Sequence, residues 1–370
     1  MKRSSSLPRV GKMRAMLCAT MLSALATHAI AEDSPDEGLS ASKGYDITKV
    51  CGTQPVILGV ADGFGGDSWR KIKNGEVAAE AAKCPNIKQI FYTDASGDPQ
   101  KANSDINSLV ARGVNVLLVL PDLPAAQIPA MRQAVRAGVS VVAYLPKMKG
   151  KPGVDYTSNV YINYPNVAFG SADWLSKVVK KGNIIYLGGP AGNPVSQVQF
   201  DAFVERMKAH PELKLLEDHY IVSNWSAADT QKAMAGLIAK YGQIDGIAAD
   251  YAPVAYAAVR SFKEAGLKVP PVATAASSNE INCAYLKDRQ SGNGWDYLTR
   301  DGGLAIVRFA LRRGMADYQG IQSDEPNIML FEPHADSSLN IDPKCDPSMP
   351  PDADLSSALT TDEMKKVFGN

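Results

Sequence analysis

From Val56 to Ala275 the chain alternates short apolar runs with longer amphipathic stretches, and that rhythm leaves few folds open. Apolar runs at Val56–Ala61, Lys88–Thr93, Val114–Leu120 and Val139–Leu145 read as strands. Between them, Ser68–Lys83, Asp98 to about Arg112, and Ala125–Ala137 read as helices. Pro99 in a first turn and Gly113 and Gly138 just past helix ends are the expected start and stop signals. The rhythm restarts with strands at Val160–Asn163, Asn183–Leu187, Leu213–Val222, Ile244–Ala249 and Pro271–Ala275. Helices are expected at about 166–180, 195–209, 227–240 and 253–265. Continuous β-α alternation with strands this apolar implies parallel sheets covered by helices on both faces. The fold class is therefore α/β, with two doubly wound parallel-sheet lobes. Beyond them, Asp301–Arg313 reads as a helix and Asn327–Phe331 as a strand. A Pro-, Asp- and Ser-rich tail follows, lying on the surface, pinned by Cys345 and closed by a short helix at Thr361–Phe368.

The first 31 residues carry Lys2, Arg3, Arg9, Lys12 and Arg14, then an uncharged stretch from Ala15 to Thr27, then Ala29-Ile30-Ala31. That is the layout of a cleavable signal peptide, with cleavage expected before Glu32. The apolar run is shorter than the roughly 20 residues that span a bilayer. Leu17 before Cys18 argues against a lipid anchor. An exported, periplasmic protein is the expectation. Without the segment, 34 basic residues face 39 acidic ones, a balance that argues against nucleic acid as a partner.

Export makes disulfides possible. Cys51, Cys84, Cys283 and Cys345 remain, none of them in a C-x-x-C pair, so neither zinc nor a redox motif is expected. Three pairings exist. Cys51 precedes the first strand and Cys84 ends the first helix, and antiparallel packing of strand and helix brings those ends together. Cys51–Cys84 is thus favoured, leaving Cys283–Cys345 to hold the tail.

In open parallel sheets ligands bind at the carboxyl ends of the strands. The loop after the first strand, Asp62-Gly63-Phe64-Gly65-Gly66-Asp67-Ser68-Trp69, is the most informative of these. Its glycines permit close backbone approach, but the G-x-G-x-x-G spacing is missing and no Gly-Lys-Ser/Thr follows, so a nucleotide cofactor is not expected. Trp69, Trp225 and Trp295 are candidate platforms for the C–H faces of sugars or polyols, and Phe64 adds a further aromatic ring. Asp62, Asp67, Asp250, Asn193 and Gln199 are candidate partners for hydroxyls, with helix capping as the competing role, for Asn193 above all. No metal site and no catalytic residue is expected. His210, His219 and His334 form no H-E-x-x-H, and G-x-S-x-G is absent, which argues against an exported hydrolase. A carboxylate pair such as Asp62 with Asp67 is the kind of arrangement that a glycosidase uses.

Several stretches together resemble a known family. They are the first strand and loop followed by Lys73-Asn74-Gly75; Asp98-Pro99-Gln100; Leu109-Val110-Ala111-Arg112-Gly113-Val114; Gln133-Ala134-Val135-Arg136-Ala137-Gly138-Val139; Asn166-Val167-Ala168-Phe169-Gly170; Phe200-Asp201-Ala202-Phe203; Ile244-Asp245-Gly246-Ile247; and Ala255 to Gly266. From about Val56 to Gly320 the chain resembles the ribose- and galactose-type (type I) periplasmic binding proteins of sugar ABC importers. The resemblance implies two similar lobes joined by three crossings and closing on one solute. It places lobe boundaries at 45–155 with 296–325, and 156–295 with 326–333, leaving 334–370 as tail. It implies ligand contacts at Asp62, Ser68, Trp69, Gln199, Trp225, Tyr251 and Trp295. It also implies an ABC permease as membrane partner, or a chemoreceptor or sensor kinase. Leu145-Pro146 stands where the family often has Asp-Arg, Asp250-Tyr251-Ala252 where it often has Asn-Asp, and Ala275-Ala276-Ser277 where a gripping Asp is common. Each lost grip strands a ligand hydroxyl at about 1–3 kcal/mol, which favours a smaller polyol, a modified sugar or a less polar solute over a pyranose.

Overall fold

The computed structural model describes residues 1–2 and 37–369. Apart from its first two residues, the expected signal segment lies outside the described residues, as does its cleavage site.

In chain order the strands are β1 (Leu39–Ser40), β2 (Val56–Asp62), β3 (Ile87–Asp94), β4 (Val116–Leu120), β5 (Ser140–Leu145), β6 (Ser158–Ile162), β7 (Gly182–Gly188), β8 (Leu213–Leu215), β9 (Ile221–Val222), β10 (Gly246–Ala249), β11 (Val272–Thr274), β12 (Tyr297–Arg300), β13 (Ile328–Leu330) and β14 (Pro333–Asp336). The α-helices are α1 (Ser68–Ala81), α2 (Pro99–Ala111), α3 (Pro124–Arg136), α4 (Tyr164–Val179), α5 (Pro194–Met207), α6 (Ala227–Tyr241), α7 (Ala252–Glu264), α8 (Asn279–Gln290), α9 (Ile306–Gln319) and α10 (Thr361–Val367).

The strands form two sheets. The first runs β1-β13-β6-β5-β4-β2-β3 and is parallel throughout. The second runs β14-β12-β11-β10-β7-β8, with β9 also on β7, and only β14 is antiparallel. Helices α1 and α9 cover one face of the first sheet, and α2 and α3 the other; α4 and α5 cover one face of the second, and α6 to α8 the other. Burial on both sides explains why β4, Val-Leu-Leu-Val-Leu, is apolar at every position and fully inaccessible. Helix starts follow local chemistry. Asp98 caps α2 by accepting from the backbone N–H groups of Gln100 and Lys101, with Pro99 in the first turn.

The chain passes between the sheets three times: at Asn163, through Asp301–Ala305, and at Phe331–Glu332. The last two crossings are tied together, Asp301 N–H donating to the Glu332 carbonyl and Glu332 N–H to the Asp301 carboxylate. Sheet membership corrects the expected boundaries. β6 and β13 pair within the first sheet, and β12 lies in the second. The changeovers therefore fall near 163, 301 and 331 rather than at 156, 296 and 326. β12 and β14 are too short for periodicity to reveal them. α8, Asn-Glu-Ile-Asn-Cys-Ala-Tyr-Leu-Lys-Asp-Arg-Gln, carries too few apolar residues to mark a stripe. The expected strand at Leu213–Val222 is two short pieces, β8 and β9.

Disulfides join Cys51 to Cys84 and Cys283 to Cys345. The tail differs from a loose surface segment. Met349, Ala353, Leu359 and Met364 are buried in a cluster with Ile72 of α1 and Leu304 of the second crossing.

Candidate functional site

Each sheet has one strand where the winding direction reverses: β2, flanked by β3 and β4, and β7, flanked by β8 and β10. The crevice at such a switch point is where open α/β sheets bind ligands. The two relevant loops are thus Gly63–Asp67, after β2, and Gly189–Asn193, after β7. The lobes meet there, because Val195 at the start of α5 and Ala275 after β11 pack into the hydrophobic cluster of the first lobe, which also receives Trp69.

On the first lobe the floor of the crevice is a charge network. Asp62 accepts two hydrogen bonds from the Lys73 ammonium at 2.8 and 2.7 Å and one from the Tyr144 hydroxyl at 3.1 Å. Lys73 is wholly buried, and desolvation pulls its pKa below the usual lysine range against the attraction of Asp62. Beside this pair, the Arg70 guanidinium donates to Asp122 at 3.0 Å, and Asp122 accepts the backbone N–H groups of Gly63 and Phe64. Two bases and two acids neutralise one another and set the loop's shape. Three of the roughly four acceptor positions of the Asp62 carboxylate are thus taken by Lys73 and Tyr144. Sequence reasoning missed Lys73, Arg70, Asp122 and Tyr144, the last two of them distant in the chain from the loop they hold. Gly65 is required by close approach, since a Cβ there would sit 1.8 Å from the Asp94 carboxylate. Gly97 seats the Phe64 ring in the same manner, its imagined Cβ 2.7 Å from the ring. Asp67 caps α1 by accepting from Arg70 N–H at 2.7 Å.

On the second lobe the centre is Asp250. It accepts from the Ser196 hydroxyl at 2.5 Å, from Gly189 N–H at 3.2 Å and from the Trp225 indole at 3.2 Å. Burial pushes its pKa up to about 6 against those three donors. The Trp225 ring lies directly on Gly189, where a Cβ would come within 2.3 Å of it. Trp225 itself takes a left-handed backbone, φ 51°, which an L-residue adopts only when its surroundings impose it. Asn193 caps α5, accepting from Val195 and Ser196 N–H, so the capping role is the one it performs. Gln199 lies one turn beyond Ser196, is 2% exposed, and makes no side-chain hydrogen bond among the described residues. Its amide atoms are not among the fully buried unpartnered ones, so the small exposure it has lies at the polar end of the side chain. Tyr251 precedes α7, and burial together with Asp67, Asp352 and Asp354 drives its phenol far above the ordinary range. Asp67 belongs to the first lobe and Asp352 and Asp354 to the tail, so Tyr251 lies within electrostatic reach of both.

Two expected contacts need separate comment. Trp69 does lie at the crevice, with its indole donating to the Gly302 carbonyl of the second crossing at 2.8 Å. Trp295 does not. It precedes β12, at the amino edge of the second sheet, where it packs edge-on against Tyr285 and tilted against Tyr297 and donates to Asp288. It lines a surface hollow of about 480 Å³ together with Lys181, Asp245 and Pro271, all of which precede strands. That edge is the far end of the lobe. Its position beside a strand was legible, but the end of the strand was not, because β12 went unrecognised. Among the described residues no group of three or more His, Cys, Asp or Glu is arranged to hold a metal ion.

Two parallel α/β lobes with switch-point loops facing each other across three crossings define the type I periplasmic binding protein class. The chain belongs to the periplasmic binding protein domain family, which it matches over residues 60–307. It is 26% identical over 195 residues to a xylitol-binding protein of Mycolicibacterium smegmatis, covering 52% of this chain and 54% of that one, so it spans about half the length of that relative. It is 24% identical over 268 residues to a galactofuranose-binding protein of Escherichia coli, covering 66% and 82%. The crystal structure of a galactofuranose binding protein superposes with a TM-score of 0.66 at 18% identity, covering 75% of this chain and 93% of that one. These relatives are solute-binding proteins and not enzymes.

Proposed function

We propose that this protein is an extracytoplasmic receptor that closes on a small polyhydroxylated solute, a sugar or polyol, and presents it to the permease of an ABC importer. The observation that carries the reading is the switch-point pair of loops, where Gln199, 2% exposed and with no side-chain hydrogen bond among the described residues, stands one turn from Ser196, which donates to Asp250 beside Trp225. A ligand hydroxyl would satisfy that amide, and the Trp225 and Trp69 rings would cover the C–H face of the carbon chain. Relatives that bind xylitol and galactofuranose support this ligand class. Asp62 is already engaged, so the first lobe offers fewer free acceptors than the second, which favours a short polyol or furanose over a fully gripped pyranose. The basic, then apolar, then Ala-Ile-Ala order of the first 31 residues supports export to the periplasm.

The test is a calorimetric and thermal-shift screen of pentitols, hexitols, furanoses and pyranoses against the protein purified free of bound solute. Binding of at least one polyol or sugar at micromolar Kd or better, weakened at least tenfold by Gln199→Leu, is the expected result. No binding across the panel, or binding indifferent to Gln199 and Trp225, refutes the assignment.

A further inference from the structure

The sequence after Lys344 does not trail from one lobe. Cys345 ties it to α8 of the second lobe. Around that bond, Asn282 donates to the Lys344 carbonyl, Asn279 Nδ2 donates to the carbonyls of Asp346 and Met349, and Asp346 N–H donates back to Asn279. Twelve residues past Cys345, the chain is fixed to the first lobe. Ser357 Oγ and Ala358 N–H both donate to Glu76 of α1, and α10 packs on α1 through Met364 and Val367.

Between these anchors lies a three-residue crossing. Backbone N–H groups of Asn279 and Glu280, at the start of α8, donate to the carbonyls of Ala353 and Pro351, both at 2.7 Å. The side chain between those two carbonyls, Asp352, reaches the other way. Its carboxylate accepts from Ser68 Oγ at 2.6 Å and Ser68 N–H at 3.2 Å, at the start of α1. Consecutive residues of one strap thus bind the second lobe through main chain and the first lobe through side chain. Ser356 adds a bond to Gly302 in the second crossing, its hydroxyl accepting from Gly302 N–H. The lobes cannot separate at this point while both sets of bonds persist.

From this geometry we infer that residues 345–358 are a built-in latch: Pro351–Ala353 hold the lobes closed without solute, and the cleft opens only when Asp352 leaves Ser68. The anchors at Cys345 and Ser357 need not break. Twelve residues extend to about 40 Å, so a released strap still tethers the lobes without preventing a hinge motion. The inference concerns closure alone and holds whatever solute the crevice takes.

Small-angle X-ray scattering and interlobe fluorescence transfer on the solute-free protein test it. Wild type is expected to match the closed form. Asp352→Ala is expected to shift the closed-to-open ratio by about ten- to a hundredfold, the loss that a charge-assisted hydrogen bond carries. Asp352→Asn, which keeps an acceptor without the charge, should fall between and guards against an alanine variant that fails to fold. A wild type already open in solution overturns the latch, as does a folded Asp352 variant that stays as closed as wild type. Because no solute is present, failure here leaves the ligand assignment standing, and an empty sugar screen leaves the latch standing.

Discussion

Replacing Lys73 with Met separates a scaffold role for Asp62 from a ligand role. Lys73 is fully buried and supplies two of the three hydrogen bonds that Asp62 receives, leaving Tyr144 and the more distant Arg70 guanidinium, 3.8 Å away, when it is removed. Met fills nearly the same volume, so the cavity term is small and the electrostatic term dominates. Stripping one partner from a buried ion pair costs about 3–5 kcal/mol, because the surviving charge stays desolvated. For a lobe of this size each kcal/mol moves Tm by about 2–4 °C, so Lys73→Met should melt on the order of 10 °C lower. Asp62→Asn combined with Lys73→Met removes both charges and should recover more than half of that loss. The assay is thermal unfolding by circular dichroism at fixed pH and salt, beside calorimetry with whichever solute the screen finds. If Lys73→Met melts within about 2 °C of wild type, the pair is not what shapes the loop. If Asp62→Asn alone abolishes solute binding at unchanged Tm, then Asp62 grips the ligand and its assignment to the floor is wrong.

Three further outcomes follow from the site and the strap. Gly189→Ala would drive a methyl into the Trp225 ring and pull its indole from Asp250; a stability loss of about 1–3 kcal/mol with at least tenfold weaker solute binding is expected, and unchanged affinity would refute the argument from the ring's close seat on Gly189. Asp354 on the strap is buried with one carboxylate oxygen unpartnered, facing Asp301, Lys344, Gly302 and the backbone of Ser277 and Ser356, and burial pushes it up to about 6. A raised carboxyl pKa means the folded form holds its proton more tightly than the unfolded chain, so stability is greatest near pH 4 and falls as pH rises through about 6, by about 3 kcal/mol at 1.36 kcal/mol per pH unit. Asp354→Asn should flatten that part of the pH–Tm profile relative to wild type, and an identical profile would count against it. Reducing Cys283–Cys345, or Cys345→Ser, should expose the strap to protease between Lys344 and Ser357 while the lobes stay folded; equal protection with and without the bond would show that the disulfide does not anchor it.

How much of this was legible depended on whether the deciding interaction was local. The β-α rhythm from Val56 to Ala275 sufficed for two parallel lobes, because strands buried on both faces must be apolar and helices between them amphipathic. The pairing Cys51–Cys84 followed from the antiparallel run of a strand and its crossover helix. The switch-point loops were identifiable for the same reason, and Trp225 and Asp250 do meet there, the indole donating to the carboxylate beside Gly189. Trp295 misled because its neighbourhood in sequence says nothing of which end of a strand it occupies once the strand itself is four residues long. The partners of Asp62 were not legible, because Lys73 and Tyr144 are 11 and 82 residues away, and no local pattern shows that a loop acid is neutralised from beneath.

The tail is the sharpest case of that limit, and it bears on how the receptor would work. Pro-, Asp- and Ser-rich composition reads as a solvated segment because few of its residues are apolar. Yet Met349, Ala353, Leu359 and Met364 suffice to seat it against Ile72 and Leu304, and its acids find donors at the starts of α1 and Ser356 rather than water. A receptor without such a strap rests open and is closed by the solute's own contacts, so all of its closing energy counts toward affinity. With Asp352 on Ser68, part of the closing energy is internal, and the solute must enter through a minor open state. Association is then slowed in proportion to the population of that state. Because the closed, solute-bound form keeps the same bonds, weakening the latch should speed association and dissociation alike and leave Kd nearly unchanged. A variant at Asp352 that slows association, or that weakens binding through faster dissociation alone, would mean that the strap is a wall of the pocket and not its latch.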